Sequence, residues 1–165
     1  MNRTTHYFLA CFCLFYSCTS QKGTVEIDTL SKKVFESLRD DDFGGLREII
    51  PNESGFEKIL ALQGKDDNGD VEKQFDAFLI QCETDFKAVR SNISDWYGST
   101  YLNTNSQTAK EESVTFSSVT TKFKQGEVNR KISFTAAKIG GRWFYYADLK
   151  LHEKDHGENN MPESV

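Results

Sequence analysis

Apolar residues follow two different periods along this chain, and the change between them divides it. Up to about residue 93 they step by three or four, the helical period; beyond residue 96 they alternate, as strands do. Leu30, Val34, Phe35 and Leu38 predict a first helix with Asp28 as its N-cap, ending around Asp40-Asp41-Asp42. Gly44-Gly45 is the expected turn, and Leu46, Ile49 and Ile50 suggest a short second helix stopped by Pro51. Phe56, Ile59, Leu60 and Leu62 mark a third short segment that ends near Gly64. The clearest signal covers residues 71–93. There Val71, Phe75, Phe78, Leu79, Cys82, Phe86, Val89 and Ile93 form one continuous face of a long amphipathic helix. Asp70 is placed to cap it, and Glu83 and Lys87 make an i,i+4 pair in the favourable order.

In the second half, residues 96–102 predict a first strand, and residues 103–112 read as a polar loop. Residues 113–124, 127–139 and 142–151 follow as an antiparallel meander. Gly140-Gly141 is a strong two-residue hairpin turn, and Gln125-Gly126 a weaker one. Together they set a register. Trp143, Tyr145, Ala147 and Leu149 lie opposite Lys138, Ala136, Phe134 and Ile132; Val119 lies opposite Ile132, and Phe123 opposite Val128. These side chains share one face, which should meet the helices. The pattern therefore predicts an α+β domain: N-terminal helices, one of them long and amphipathic, packed on an antiparallel meander of three or four strands.

The other face carries Val114, Phe116, Ala137, Phe144 and Tyr146. A sheet wet on one side does not gather five such side chains there. The expected cover is a homodimer or envelope-protein partner, the strand at residues 96–102, or a ligand.

The N-terminus adds an address. One arginine, Arg3, precedes an apolar run over residues 7–16, too short to cross a bilayer, which needs about 20 apolar residues. This is the layout of a secretory signal. The stretch Leu14-Phe15-Tyr16-Ser17-Cys18 resembles a lipobox, in which a small residue precedes a cysteine that is lipidated and becomes the mature N-terminus. The alternatives are an ordinary secretory signal, although no A-x-A-like site stands nearby, and an uncleaved anchor. The resemblance implies a signal peptide at residues 1–17, Cys18 as the lipidation site and a short tether at residues 18–24. A single domain at residues 25–151 and a disordered polar tail at residues 152–165 complete the expected layout. The implied partner is a membrane reached through acyl chains. No acidic run follows Cys18, which favours a periplasm-facing position in the cell envelope.

Cysteine count and charge narrow this further. Of the four cysteines, only Cys82 remains as a thiol once the signal is gone and Cys18 is acylated, so no disulfide framework exists. The domain must be stabilised by its apolar core. The net charge of −5 is spread along the chain without a basic stripe, which argues against nucleic acid as a partner.

The candidate chemistry is thin. His152-Glu153-Lys154-Asp155-His156 matches the zinc-protease spacing, but it follows a strand and precedes Gly157, so no helix presents both imidazoles and no metal site is expected. Asp66-Asp67-Asn68-Gly69-Asp70 lacks the first and last ligands of a calcium loop. Cys82 lies on an apolar helix face and reads as a core thiol. No catalytic residue and no cofactor is assigned.

Two stretches resemble a known group. Phe35-Glu36-Ser37-Leu38-Arg39-Asp40-Asp41-Asp42-Phe43-Gly44-Gly45-Leu46 is similar to the first helix and following turn of nuclear-transport-factor-2-like and cystatin-like domains. Gly140-Gly141-Arg142-Trp143-Phe144-Tyr145-Tyr146-Ala147-Asp148-Leu149-Lys150-Leu151 is similar to their closing strand. The resemblance implies a helix-on-meander fold. It also implies a function among small-ligand or protein-binding modules, with a pocket enzyme of the polyketide-cyclase or isomerase type as the alternative. A structural or immunity-type envelope protein is a third reading. The group's catalytic Asp or His has no counterpart here, and fold alone does not choose among these.

Overall fold

A computed structural model describes residues 22–63, 70–111 and 114–152. Among these residues the fold is α+β: helices α1 (Ile27–Asp40), α2 (Phe43–Arg47), α3 (Glu53–Leu62) and α4 (Val71–Ser91) precede strands β1 (Ser99–Glu111), β2 (Val114–Gln125), β3 (Val128–Ile139) and β4 (Arg142–His152). The strands form one antiparallel meander in the order β1-β2-β3-β4. No described helix is long and apolar enough to cross a membrane.

The main core lies between the helices and one sheet face. Leu30, Val34, Phe35 and Leu38 of α1 pack with Val119, Phe123, Ile132, Phe134, Ala136, Trp143, Tyr145 and Leu149 of the sheet, the face expected from the strand alternation. Cys82, Phe86 and Val89 bring the C-terminal half of α4 into the same core, and Ile93 and Trp96 close it beyond the helix. Two buried positions on α1 are polar, Ser31 and Ser37, and the first is part of a network. Ser31 Oγ lies 2.5 Å from Thr121 Oγ1 and accepts from Thr104 Oγ1 at 2.6 Å, and Tyr101 OH stands 2.7 Å from the Thr104 hydroxyl. This chain of hydroxyls satisfies its own members, which is why polar groups are tolerated beneath the helix.

Several local expectations are corrected. Glu26, not Asp28, holds the N-cap position of α1, without a side-chain cap bond, and Asp28 sits in the first turn. Asp41, at φ 57, makes the reversal after α1, so Gly44 and Gly45 are free to lie inside α2, where the Asp42 side chain accepts from Gly45 N–H at 2.8 Å. The polar stretch at residues 103–112 is not a loop. Through Glu111 it is β1, a strand without apolar alternation because it forms the sheet's outer edge. The Gln125-Gly126 turn is instead Gly126-Glu127, with Gly126 at φ 56, so Val119 faces Phe134 and Phe123 faces Arg130. That shift is two residues and leaves every side chain on its expected face. Near the end of β4 a bulge with Asp148 at φ 60 breaks the register. Ala147 faces Thr135, and Ile132 faces Leu151 rather than Leu149.

Residues 22–24 belong to the domain rather than to a tether. Thr24 N–H donates to Trp143 O at 2.9 Å, Trp143 N–H donates to Thr24 O at 2.6 Å, and Arg142 Nε donates to Gly23 O at 2.7 Å. Unpaired backbone groups on the outer edge of β4 provide the reason for this docking. Farther along that edge, Tyr145 N–H donates to Ile49 O at 2.9 Å.

The second sheet face is covered from within the chain, and not by residues 96–102. Ile59 of α3 is fully buried against Val114, Ala137, Ile139 and Phe144, with Leu62 beside them. Gly23 packs against the Phe144 ring, where an added Cβ would collide with the ring and stand 2.8 Å from Trp143 O. Trp96 and Tyr101 turn the other way and pack on Phe35 in the main core. Phe144→Glu should therefore lower stability by about 3 kcal/mol or more, since it deletes a buried ring and buries a charge. Thermal unfolding should show a loss of many degrees with no change in molecular mass. Gly23→Ala should also destabilise, by displacing the Phe144 ring. A melting temperature unchanged in both variants would contradict this packing.

Candidate functional site

Of the five side chains expected on the second face, Val114, Ala137 and Phe144 are buried, while Phe116 and Tyr146 remain partly open. These two continue a run of rings that two other elements, α3 and α4, build. Phe116 of β2 meets Tyr146 of β4 at 5.8 Å between ring centroids. Tyr146 stacks on Phe78 of α4 at 5.6 Å, and Phe78 stacks on Phe56 of α3 at 4.8 Å. Phe75 closes the group at 5.6 Å from Phe56 and 6.1 Å from Phe78. Phe56 is buried, and the other four rings are half-buried. Each pair lies within the spacing at which aromatic contacts add about 0.5–1.5 kcal/mol beyond burial. Gln63 Nε2 reaches the Tyr146 hydroxyl at 3.3 Å, giving the open end of the run a polar rim.

The α4 stripe thus serves two purposes. Its C-terminal half fills the main core, and its N-terminal half, with Phe75 and Phe78, clamps α3 to the edge of the sheet. Sequence periodicity assigns the whole stripe to one core, and so it misses Phe56, Phe75 and Phe78 as members of this run. The usable signal is two rings on adjacent helical positions next to a third on the preceding segment.

Titratable groups inside the domain are few. Burial, the main cause, pushes the Cys82 thiol up to about 12, and its Sγ has only a long contact of 4.0 Å with Tyr146 O. Such a thiol stays protonated and is a poor nucleophile. Burial also raises the Tyr145 phenol, whose enclosed hydroxyl has no well-aligned hydrogen bond and only the Leu149 backbone near it, which offsets part of the rise. Arg90 Nε, although enclosed and without an aligned hydrogen bond, lies 2.8 Å from Asp41 Oδ1, and its guanidinium stands over Tyr97. That charge is paired.

One depression is lined largely by groups that are already partnered. A hollow of about 240 Å³ is lined by Glu36, Asp40, Asp42 and Glu48 among others. Asp40 pairs with Arg39, Glu48 with Lys22 and Glu36 with Lys32, and Asp42 caps α2, so each carboxylate already has a partner. No group of His, Cys, Asp and Glu among the described residues could hold a metal ion. His152 lies on β4, 2.7 Å from Ser133 Oγ. Cys18, the segment 66–69 and residues 153–156 lie outside the described residues. The chain was compared with protein-family models, with characterised proteins and with solved structures, and none matches.

Two outcomes test these interior groups. Tyr145→Phe should leave stability unchanged or raise it by up to about 1 kcal/mol, because it removes an enclosed hydroxyl that has no well-aligned hydrogen bond. Thermal melts check this, and a loss of several degrees would show that the hydroxyl is satisfied. The raised Cys82 pKa also has a definite sign. An unfolded thiol ionises near pH 8.5 and the folded one near 12, so between those values the unfolded state binds fewer protons and stability falls as pH rises. A series of melts from about pH 8 to 11 should show this decline, shallower in Cys82→Ala.

Proposed function

We propose that this chain is a lipid-anchored cell-envelope protein, tethered through Cys18 and facing the periplasm, whose α+β domain works as a binding module for a small apolar ligand or an envelope-protein partner. The observation that carries the binding reading is the half-open aromatic run. Rings from α3, α4, β2 and β4 are held rigidly side by side, and four of them keep part of their surface in water. Aromatic anchors beside a polar rim are the usual make-up of a contact surface. The address rests on the Ser17-Cys18 junction and the short apolar run before it.

The alternative, a pocket enzyme of the cyclase or isomerase type, needs an acid or base held inside the domain. Among the described residues the buried polar side chains are Thr24, Ser31, Ser37, Ser99, Ser117 and Thr121, all hydroxyls. Ser31 and Thr121 are bonded to each other, and Ser117 Oγ donates to Gln107 O at 3.1 Å. This inventory favours binding over proton transfer.

The anchor is tested by fractionation. Cys18→Ala should release the protein from membranes or block its processing; a variant of mature size that still sediments with membranes would remove the lipoprotein reading. The binding surface is tested separately by a fluorescent apolar probe. Phe116→Ala with Tyr146→Ala should cut probe binding about tenfold or more, equivalent to about 1.4 kcal/mol, while preserving the far-ultraviolet circular dichroism. Probe binding that is absent in the wild type or unaffected by the substitutions would remove the aromatic run from the proposal.

A further inference from the structure

The two edges of the sheet are treated differently. The outer edge of β4 is paired by Thr24 and by Ile49 O. The outer edge of β1 is not: beyond its ladder with β2, the backbone bond that joins it to the described residues is Ser99 N–H to Trp96 O at 2.9 Å, at its very start. With 13 residues, β1 is the longest strand of the sheet, about 44 Å when extended at about 3.4 Å per residue. Leu102, Asn103 and residues 105–109 are exposed along it.

Proteins guard such edges with charge, proline, brevity or cover. Here 27% of the chain is charged, yet the 11 residues from Ser99 to Ala109 carry no charge, no proline and no glycine. The bulge between Tyr101 and Asn103 disturbs only the first part of the strand. Two of the large apolar side chains left exposed, Tyr97 at 71% and Leu102 at 46%, stand at that end.

We infer that β1 pairs with β1 of a second copy of this chain, antiparallel about a twofold axis, joining two four-stranded sheets into one continuous sheet. Three features select that occupant. An antiparallel pair of identical strands is self-complementary, so one edge serves both partners. The chain carries a net charge of −5, and two copies repel least where they meet at an uncharged strand. Finally, the β4 edge is already engaged at Trp143 and Tyr145, so an isologous pairing of β1 with β1 closes on itself at two copies rather than growing into a filament. The inference does not depend on the lipid anchor or on the aromatic run.

Light scattering coupled to gel filtration, on the full-length chain across micromolar concentrations, gives the oligomeric state. The wild type should be a dimer. Asn103→Lys with Asn105→Lys places like charges along the paired edge on exposed positions, and it should weaken the dimer at least tenfold while leaving the circular dichroism unchanged. Hydrogen exchange on the wild type supplies a second readout that needs no variant: amides in residues 99–109 should gain protection as concentration rises, and those of β4 should not. A wild type that is monomeric throughout would overturn the inference. So would a dimer that survives both lysines, one that shows no concentration-dependent protection in residues 99–109, or one that Phe116→Glu dissolves while the lysines do not.

Discussion

The arrangement depends on the start of β4, residues 143–145, being enclosed on every side. Trp143, Phe144 and Tyr145 are consecutive and all buried. In a strand, consecutive side chains point to opposite faces, so a run of three demands cover on both. The backbone between them also needs partners, because an unpaired buried amide costs as much as a lost hydrogen bond. The chain meets both demands with segments far away in sequence. Residues 22–24 and Ile49 pair the strand's edge, α1 and α4 cover one face, and α3 is carried to the other. The position of α3 follows from this need, since Ile59 fills the space over Phe144 and Ala137 that water would otherwise occupy.

The aromatic run is a by-product of the same arrangement. To hold α3 against the back of the sheet, α4 must contact it, and the rings of Phe56, Phe75 and Phe78 do so. Tyr146 sits at the meeting point. It is adjacent to a bulge where Asp148 takes a left-handed conformation and the register changes. Bulges re-aim side chains. The outcome is a ring that stacks on α4 and touches Phe116 without being sealed by either.

Much of the architecture was legible in the sequence. The helical step through residues 71–93 and the alternation after residue 113 are strong signals because each element buries one face. The assignment of strand faces survived a wrong turn position, since a shift of two residues preserves side-chain orientation. Three kinds of feature were not legible. Most of β1, from Asn103 onward, hid in a run of Ser, Thr, Asn and Gln because an edge strand needs no apolar face to pair. Residues 22–24 looked like a linker because their docking is made by backbone, which leaves no mark in side-chain pattern. The cover over Phe144 was anticipated, but its source was not, because no local periodicity tells which distant helix crosses to the far side.

The candidate site was less legible, and for a physical reason. Catalytic sites announce themselves through polar residues in places where burial makes them costly. Among the described residues the costly positions are hydroxyls bonded to one another, a thiol kept neutral by burial and a phenol without a well-aligned hydrogen bond. None of these combines exposure to a substrate with a shifted acid or base. What distinguishes the molecule lies on its outside: rings left half-covered where α3, α4 and the sheet meet, and one long strand with its backbone open. Both are the features on which the proposed contact role rests. Each arises where the chain had enough apolar surface or backbone partners to close one side of the sheet but not the other.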